Sequence, residues 1–407
     1  MSGAGACVPR VVMLDPGNFI PYYVDKLCRG LREELDLAVR VITSPPLFER
    51  VDPEGLYEVD PLFFPRLDGR KSTALRRLRR VRQAMKAASY PAGLLRTWRA
   101  LVDGPAGVLH VQFALVPALD CVLLQALKRR GWRVVYTAHD AVPEPKRAAH
   151  RAHGRLLALA DAVIVHTRRQ ARQVAGAYAQ VTPRLHVIAH GADIFPLPAA
   201  AERREARRRI GVEPDRPFLL HFGMLKPYKG IEYLVAAMPD VLARFPSALL
   251  VIAGAPLMPL GPLRRQIAQL GLGSAVSLRP RFVPTHEVAQ YMRAADVVIA
   301  PYVQIGASGV IPLAQGHGRP VIVTRVGGLP EFVEDDESGF VVPERSPAAL
   351  ADAIARGLRD PEALADMGRR GWARVGRERR WSDVARQTYA LYDPAGARDV
   401  RLPRAGT

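Results

Sequence analysis

The chain has 407 residues, 49% of them hydrophobic, and a formal charge of +19 at neutral pH. That length exceeds what one core usually holds, so two domains of under about 200 residues each are expected, and the charge calls for a polyanionic partner without choosing among nucleic acid, anionic lipid and phosphorylated ligand. Only three cysteines occur, Cys7, Cys28 and Cys121, with no CxxC pair, which excludes a disulfide framework and a cysteine-based zinc site and fits a reducing compartment.

The N-terminus, MSGAGACVPR, runs straight into VVML without the charged and long apolar regions of a signal peptide, so a cytoplasmic protein is expected. Short apolar runs then alternate with helical patterns: VVML, VRVIT, LHVQF, RVVYTA, AVIVHT and LHVIAH in the first half, FLLHFG, ALLVIAG, AVSLRP, VVIAPY and PVIVTR in the second. This βα rhythm predicts parallel sheets, and strands that are apolar throughout predict helices on both sheet faces. The longest apolar run, Gly107 to Leu127, is broken by His110, Gln112, Pro117 and Asp120, which excludes a spanning helix. We place an N-terminal domain over 1–197, a Pro-rich charged linker over 198–217, and a C-terminal domain over 218–380. A last helix, about 381–395, packs on either domain, the N-terminal one included, before the tail RLPRAGT frays.

Between Arg66 and Arg99 the chain carries eleven Lys or Arg against a single acid, Asp68. Leu75, Leu78, Val81 and Met85 fall at helical spacing beside Arg76, Arg77, Arg79, Arg80 and Arg82, an amphipathic helix with a cationic face. Two readings stay open: a helix packed on the N-terminal core with a solvated basic face, or a surface that docks to an anionic membrane or a phosphate-bearing acceptor. Specific nucleic-acid binding is not expected, since no zinc pattern, RNA-recognition motif or aromatic-interleaved basic strand accompanies the charge.

The chemistry-bearing motifs sit at strand ends. In LLHFGMLKPYKGIEYL, Gly223 makes a turn, and Lys226 and Lys229 fall at the start of a helix, a phosphate-binding arrangement. In PYVQIGASGVIPLAQGHGRP, Gly306, Ser308 and Gly309 follow a strand and precede a helix, so bare amides face a ligand position. These motifs follow the first and fourth strands of one expected sheet, and open α/β sheets bind ligands at the carboxyl ends of their strands. In the first half, LDPGNFIPYYVDKL places Gly17 and Asn18 before a helix; it is not GxGxxG, so no dinucleotide cofactor is expected. His139 ends an apolar strand and is followed by Asp140, while His110 and His190 are strand-end residues that either line a ligand site or serve turns. No DxD pair occurs and EDDE at Glu334 to Glu337 lies in a polar turn, so no metal or other cofactor is expected.

With TAHD around His139, VIVHT at Val163 to Thr167, VIAHGAD at Val187 to Asp193, AADVVIAPY at Ala294 to Tyr302 and GGLPE ending in Glu331, these motifs resemble the retaining family-four glycosyltransferases. The resemblance implies the GT-B fold, two Rossmann-like doubly wound parallel-sheet domains of α/β class facing across a cleft. It implies that Lys229 and Lys226 hold the diphosphate of a nucleotide-sugar donor, that the backbone of Ser308, Gly309 and Val310 meets its distal phosphate, and that the turn Arg281, Phe282, Val283 meets the base. It implies further that the Gly17–Asn18 loop faces donor and acceptor, and that His139 lies beside the reacting sugar. The departing phosphate would then assist the acceptor hydroxyl on the same face, without a protein nucleophile.

Two departures stand out. The family's two glutamates, eight positions apart and in contact with sugar and ribose hydroxyls, are replaced by Ile305 and Leu313, neither of which accepts a hydrogen bond. Gln304, Gln315 and Glu331 are the nearby substitutes, with Glu331 preferred. Met224 and Leu225 follow Gly223 where the family carries an arginine, and Lys226 is the cation in reach. The expected function is transfer of a hexose-type sugar to a hydroxyl of a lipid-linked saccharide or envelope precursor, by an enzyme that is cytoplasmic and peripheral at the inner membrane face. The alternatives are a soluble natural-product acceptor and a catalytically silent GT-B-like nucleotide-binding protein. His139, Lys229 and Glu331 are the candidate catalytic residues.

Overall fold

The computed structural model describes residues 10–46, 48–65, 79–139 and 147–393. Positions 66–78 of the basic segment, Asp140 and the C-terminal tail lie outside the described residues. The chain divides into two compact units, one running up to Ala189 and resuming at Trp381, the other spanning His190–Arg380.

The first unit holds β1 (Val11–Asp15), β2 (Val39–Thr43), β3 (Glu58–Asp60), β4 (Val108–Val111), β5 (Arg133–Thr137), β6 (Ala162–Val165) and β7 (Leu185–Val187). All pair in parallel, in the order β3-β2-β1-β4-β5-β6-β7. Alternate residues of one strand enter opposite cores: Val12 and Leu14 join Leu109 and Val111 on one face, Val11 and Met13 join Val108 on the other. Burial on both faces is why the strands read as unbroken apolar runs. β3, with the sequence EVD at the sheet edge, has no such run and was not anticipated.

The second unit holds β8 (Phe218–Phe222), β9 (Leu249–Ala253), β10 (Val276–Arg279), β11 (Val297–Ala300), β12 (Val321–Thr324) and β13 (Gly339–Val342). These too are parallel, in the order β10-β9-β8-β11-β12-β13. In each unit the chain winds outward in one direction from its first strand and then in the other from its fourth. The pairs β1/β4 and β8/β11 are therefore topological switch points, where diverging loops leave a crevice at the carboxyl ends.

One expectation needs correction, and one open alternative is decided. The stretch 198–217 is not a free linker: Ala200–Arg209 is a helix belonging to the second unit. Its Arg207 is buried, donating to Asp296 at 2.8 Å and to the Ala294 carbonyl at 3.0 Å, while Asp296 also accepts the Phe218 amide at 2.7 Å. Charge suggested solvent, but this guanidinium anchors the start of β8. For His110, where a ligand contact and a structural role were both open, the structure gives the structural one: it lies in the core between Thr137 Oγ1 (2.7 Å) and Tyr392 Oη (2.6 Å). It ties the helix Trp381–Tyr392 to the first sheet, and the same helix pairs Arg386 with Glu34. The close approach is possible because Gly30, facing it, has no side chain: a Cβ there would lie 3.0 Å from that of Ala385.

Burial lowers His110, His221 and His317 to about 3 and His153 to about 4. The unfolded chain protonates these imidazoles near 6.5, so it binds protons first as pH falls, and their contribution to stability is complete above about 6.5. Burial raises Asp15 and Asp120 to about 6, which acts in the opposite direction between 6 and 3.8. Four groups outweigh two, so the melting temperature should fall steadily from pH 7 to pH 4.5. A flat or rising profile would contradict these assignments.

Candidate functional site

The switch point of the second sheet is built around one lysine. After β8 the chain turns at Gly223 (φ +101°), makes the 3-10 turn Pro227–Lys229, and starts the helix Ile231–Arg244 from Gly230 (φ +59°). A Cβ on Gly230 would fall 2.1 Å from the Pro301 carbonyl oxygen, so only glycine lets this turn press on the segment that follows β11. The Val303 amide then donates to the Tyr228 carbonyl at 2.8 Å, joining the two loops.

This places Lys229 in the crevice, only 6% exposed. Its Nζ donates to Tyr302 Oη at 3.1 Å and to the Phe222 carbonyl at 3.5 Å, with the Tyr302 ring centroid at 4.9 Å. Among the described residues no carboxylate pairs with it. A buried ammonium without a counter-charge costs several kcal/mol in order of magnitude, a cost that a bound oxyanion offsets. A Cβ at Gly223 would lie 3.1 Å from this Nζ and 3.3 Å from Val310 Cγ2, so the lysine motif and the glycine-serine motif meet here. Lys226 is half-buried, its Nζ 5.6 Å from the Tyr228 ring centroid.

Ser308 is buried, and its Oγ accepts the Val310 amide at 3.3 Å at the start of the helix Val310–Gly316. His190 stands beside this turn: its Nε2 lies 3.1 Å from where a Gly309 Cβ would be, and its Nδ1 is 2.7 Å from the Gly191 carbonyl. The Gly327–Gly328 pair packs on the same loop, with the Gly328 amide donating to the Gly306 carbonyl at 2.9 Å. Glu331 follows in the turn Leu329–Phe332, half-buried, its carbonyl accepting from Arg374 and Arg379 at 3.3 Å each. Gln315 is buried, and its side-chain Nε2 donates to the Phe332 carbonyl at 2.8 Å. Gln304 is exposed, and Ile305 and Leu313 pack with Ala307 and Val310 against the core.

Arg281, Phe282 and Val283 follow β10, the edge strand, with β9 between it and β8. Arg281 pairs with Glu287, Val283 is buried, and the nearby concavity of about 490 Å³ is lined by Arg209, Arg279, Arg281, Glu287 and Tyr291.

In the first unit, β1 ends at Asp15, a buried carboxylate whose Oδ2 accepts the Phe19 amide at 3.0 Å. Burial pushes it up to about 6, opposed by the amides of the loop it gathers. Asn18 adopts φ +50° and donates to the Ser44 carbonyl at 3.0 Å; a Cβ on Gly17 would fall 2.3 Å from the Phe19 ring. After β5, the half-buried His139 has Nε2 at 2.9 Å from Gln112 Oε1 and Nδ1 at 3.1 Å from His166 Nε2. Phe113 stacks on it at 5.1 Å and Tyr23 meets it edge-on at 4.9 Å. Asp15, Gln112, His166 and Tyr302 were not singled out in the sequence; each is a polar residue at or just beyond the carboxyl end of an apolar strand, and that shared position is the signal that could have found them.

Among the described residues no group of three or more His, Cys, Asp or Glu is placed to hold a metal ion, and no helix is long and apolar enough to cross a membrane.

Two doubly wound parallel sheets, one with a buried ammonium at its switch point, define a two-domain α/β protein of the GT-B class. Residues 20–194 match the model of Glycosyltransferase Family 4, and residues 216–360 that of Glycosyl transferases group 1. The chain is 31% identical to the D-inositol 3-phosphate glycosyltransferase of Corynebacterium glutamicum (strain R), over 67% of this chain and 70% of that one. It is 28% identical to the Segniliparus rotundus enzyme of the same name, over 78% and 73%. Its fold matches Anabaena Alr3699/HepE in complex with UDP-glucose (TM-score 0.73, 17% identity, 94% and 98% of the two chains). It also matches sucrose-phosphate synthase from Thermosynechococcus elongatus (TM-score 0.70, 24% identity, 96% and 100%). The chain belongs to family 4 of the glycosyltransferases.

The Gly230 constraint is testable. Gly230→Ala should destabilise by at least about 2 kcal/mol, lowering the melting temperature by several degrees, because both the left-handed backbone and the Pro301 carbonyl oppose a side chain. Gly176→Ala, in a helix with open space around it, should leave the melting temperature unchanged or raise it.

Proposed function

We propose that this enzyme transfers a hexose-type sugar, with retention at the anomeric carbon and without a metal, from a nucleoside diphosphate sugar to a hydroxyl acceptor. The observation that carries this reading is Lys229, a buried cation beside the start of the Val310 helix that pairs with no carboxylate among the described residues. As the glycosidic bond breaks, negative charge gathers on the departing diphosphate. Fixed ammonium and amide N–H groups favour that state more than the ground state and so lower the barrier. Lys229 and Lys226 take the diphosphate, the amides of Ser308, Gly309 and Val310 its distal phosphate, and the Arg281–Val283 turn the base. Glu331 accepts from a sugar or ribose hydroxyl, and His139 with the Gly17–Asn18 loop orients the transferring sugar. The departing phosphate oxygen draws the proton from the incoming hydroxyl on the same face. Complexes of Alr3699/HepE with UDP and UDP-glucose support the donor class.

For the acceptor, a lipid-linked saccharide at the inner membrane face is favoured by the basic segment and by Met85 and Leu95, both exposed on the helix Arg79–Val102. A small phosphorylated polyol is the second reading, favoured by the D-inositol 3-phosphate named for the relatives. Sedimentation with anionic liposomes at low salt separates them: co-sedimentation supports the first, and its absence sinks the membrane reading.

For the donor, nucleoside diphosphates and their sugars should raise the melting temperature while nucleosides and free sugars do not. No response to any nucleotide would refute the donor site. His139→Ala and Lys229→Ala should each lower turnover at least about 100-fold with the fold intact. Near-normal turnover in both would refute the assignment, and NMR of the product should show the anomer of the donor.

A further inference from the structure

His139 is joined to a relay whose far end allows only one arrangement of protons. The Ile188 carbonyl, 3.0 Å from His166 Nδ1, can only accept, so that Nδ1 carries the proton. His166 Nε2 lies 3.1 Å from His139 Nδ1. With His166 neutral this Nε2 is bare, and the contact is a hydrogen bond with His139 Nδ1 as the donor. Backbone contacts hold the two rings in register. Gln170 accepts the His166 amide at 3.0 Å through Oε1 and donates to the His139 carbonyl at 3.1 Å through Nε2. Tyr23 lies against both rings, at 4.9 Å from His139 and 5.3 Å from His166.

The other nitrogen of His139 is held differently. Its Nε2 meets Gln112, whose side-chain amide is fully buried at 2.9 Å. As placed, the amide donates through its Nε2 to Met13 Sδ at 3.6 Å and turns its carbonyl to His139, which suits a protonated Nε2; turned over, at the loss of that weak bond, it would offer an N–H to a bare one. The Gln112 side of the ring can thus meet both states.

We propose that His166 is a positioning residue for sugar transfer. It keeps a proton on His139 Nδ1 and so leaves Nε2 as the one nitrogen of His139 that can gain or lose a proton toward the transferring sugar. This rests on the reading that His139 serves the transfer step. His166 touches no substrate and acts through the tautomer and orientation of its neighbour.

The test is long-range proton–nitrogen NMR of the full chain labelled at histidine nitrogens, alongside steady-state kinetics. In the wild type, His139 Nδ1 should resonate as a protonated nitrogen and His166 Nε2 as a bare one. In His166→Leu, which removes the acceptor, His139 should shift toward the Nε2–H form or a mixture. There kcat should fall at least about tenfold while the donor KM stays within about twofold. His166→Gln can donate to Ile188 and accept from His139, so it should restore the nitrogen pattern and most of kcat. A wild-type His139 protonated on Nε2 alone, or a pattern and kcat unchanged in His166→Leu, would overturn the proposal. If the leucine variant fails to fold, the wild-type and glutamine spectra still decide. The spectra need no substrate: the expected pattern without turnover of any nucleotide sugar would sink the transferase reading and leave the relay standing, whereas the opposite pattern with turnover would sink the relay alone.

Discussion

The structure of the second unit depends on holding a lysine ammonium in the crevice of its sheet with no carboxylate, among the described residues, to neutralise it. Lys229 has a tyrosine hydroxyl and a distant carbonyl as partners, and neither cancels a charge. Everything around it serves that placement. Gly230 lets the lysine turn press on the chain after β11, Gly223 keeps the approach to Nζ open, and Tyr302 offers both a hydroxyl and a ring face. The arrangement is unfavourable for folding alone, and a bound anion would offset that cost.

The first unit solves a related problem with a different device. Its switch point gathers the loop after β1 around a buried carboxylate, Asp15, and sets a histidine pair at the ends of β5 and β6. Here loop amides converge on one side of Asp15, the Phe19 amide donating to its Oδ2, and the His139–His166 contact ends on a carbonyl. One unit buries a charge among uncharged partners, and the other holds an imidazole between two polar neighbours.

Much of this was legible in the sequence because burial on both sheet faces makes strands apolar without interruption. Eleven of the thirteen strands among the described residues fall on runs read in advance, and Lys226, Lys229 and Gly309 fall at the turn and helix starts expected of them. The failures share a cause. β3 is a short polar edge strand, β13 begins with a glycine, and the supposed linker is a charged helix whose Arg207 is buried against Asp296. In each case a long-range partner overrides local composition. The same holds for the structural role of His110, which is fixed by two buried hydroxyls, Thr137 and Tyr392, distant in sequence. The polar partners His166 and Gln112 could not be ranked from sequence, since their importance lies in which atoms they face.

The most direct test of the account is titration calorimetry of a nucleoside diphosphate, UDP first and GDP second, into the full chain and into Lys229→Met, which keeps the side-chain volume and removes the charge. The account predicts binding to the wild type that weakens at least about tenfold in the variant, the loss of one charge-assisted contact to phosphate. Equal affinity in the two proteins would show that the buried ammonium does not hold the diphosphate.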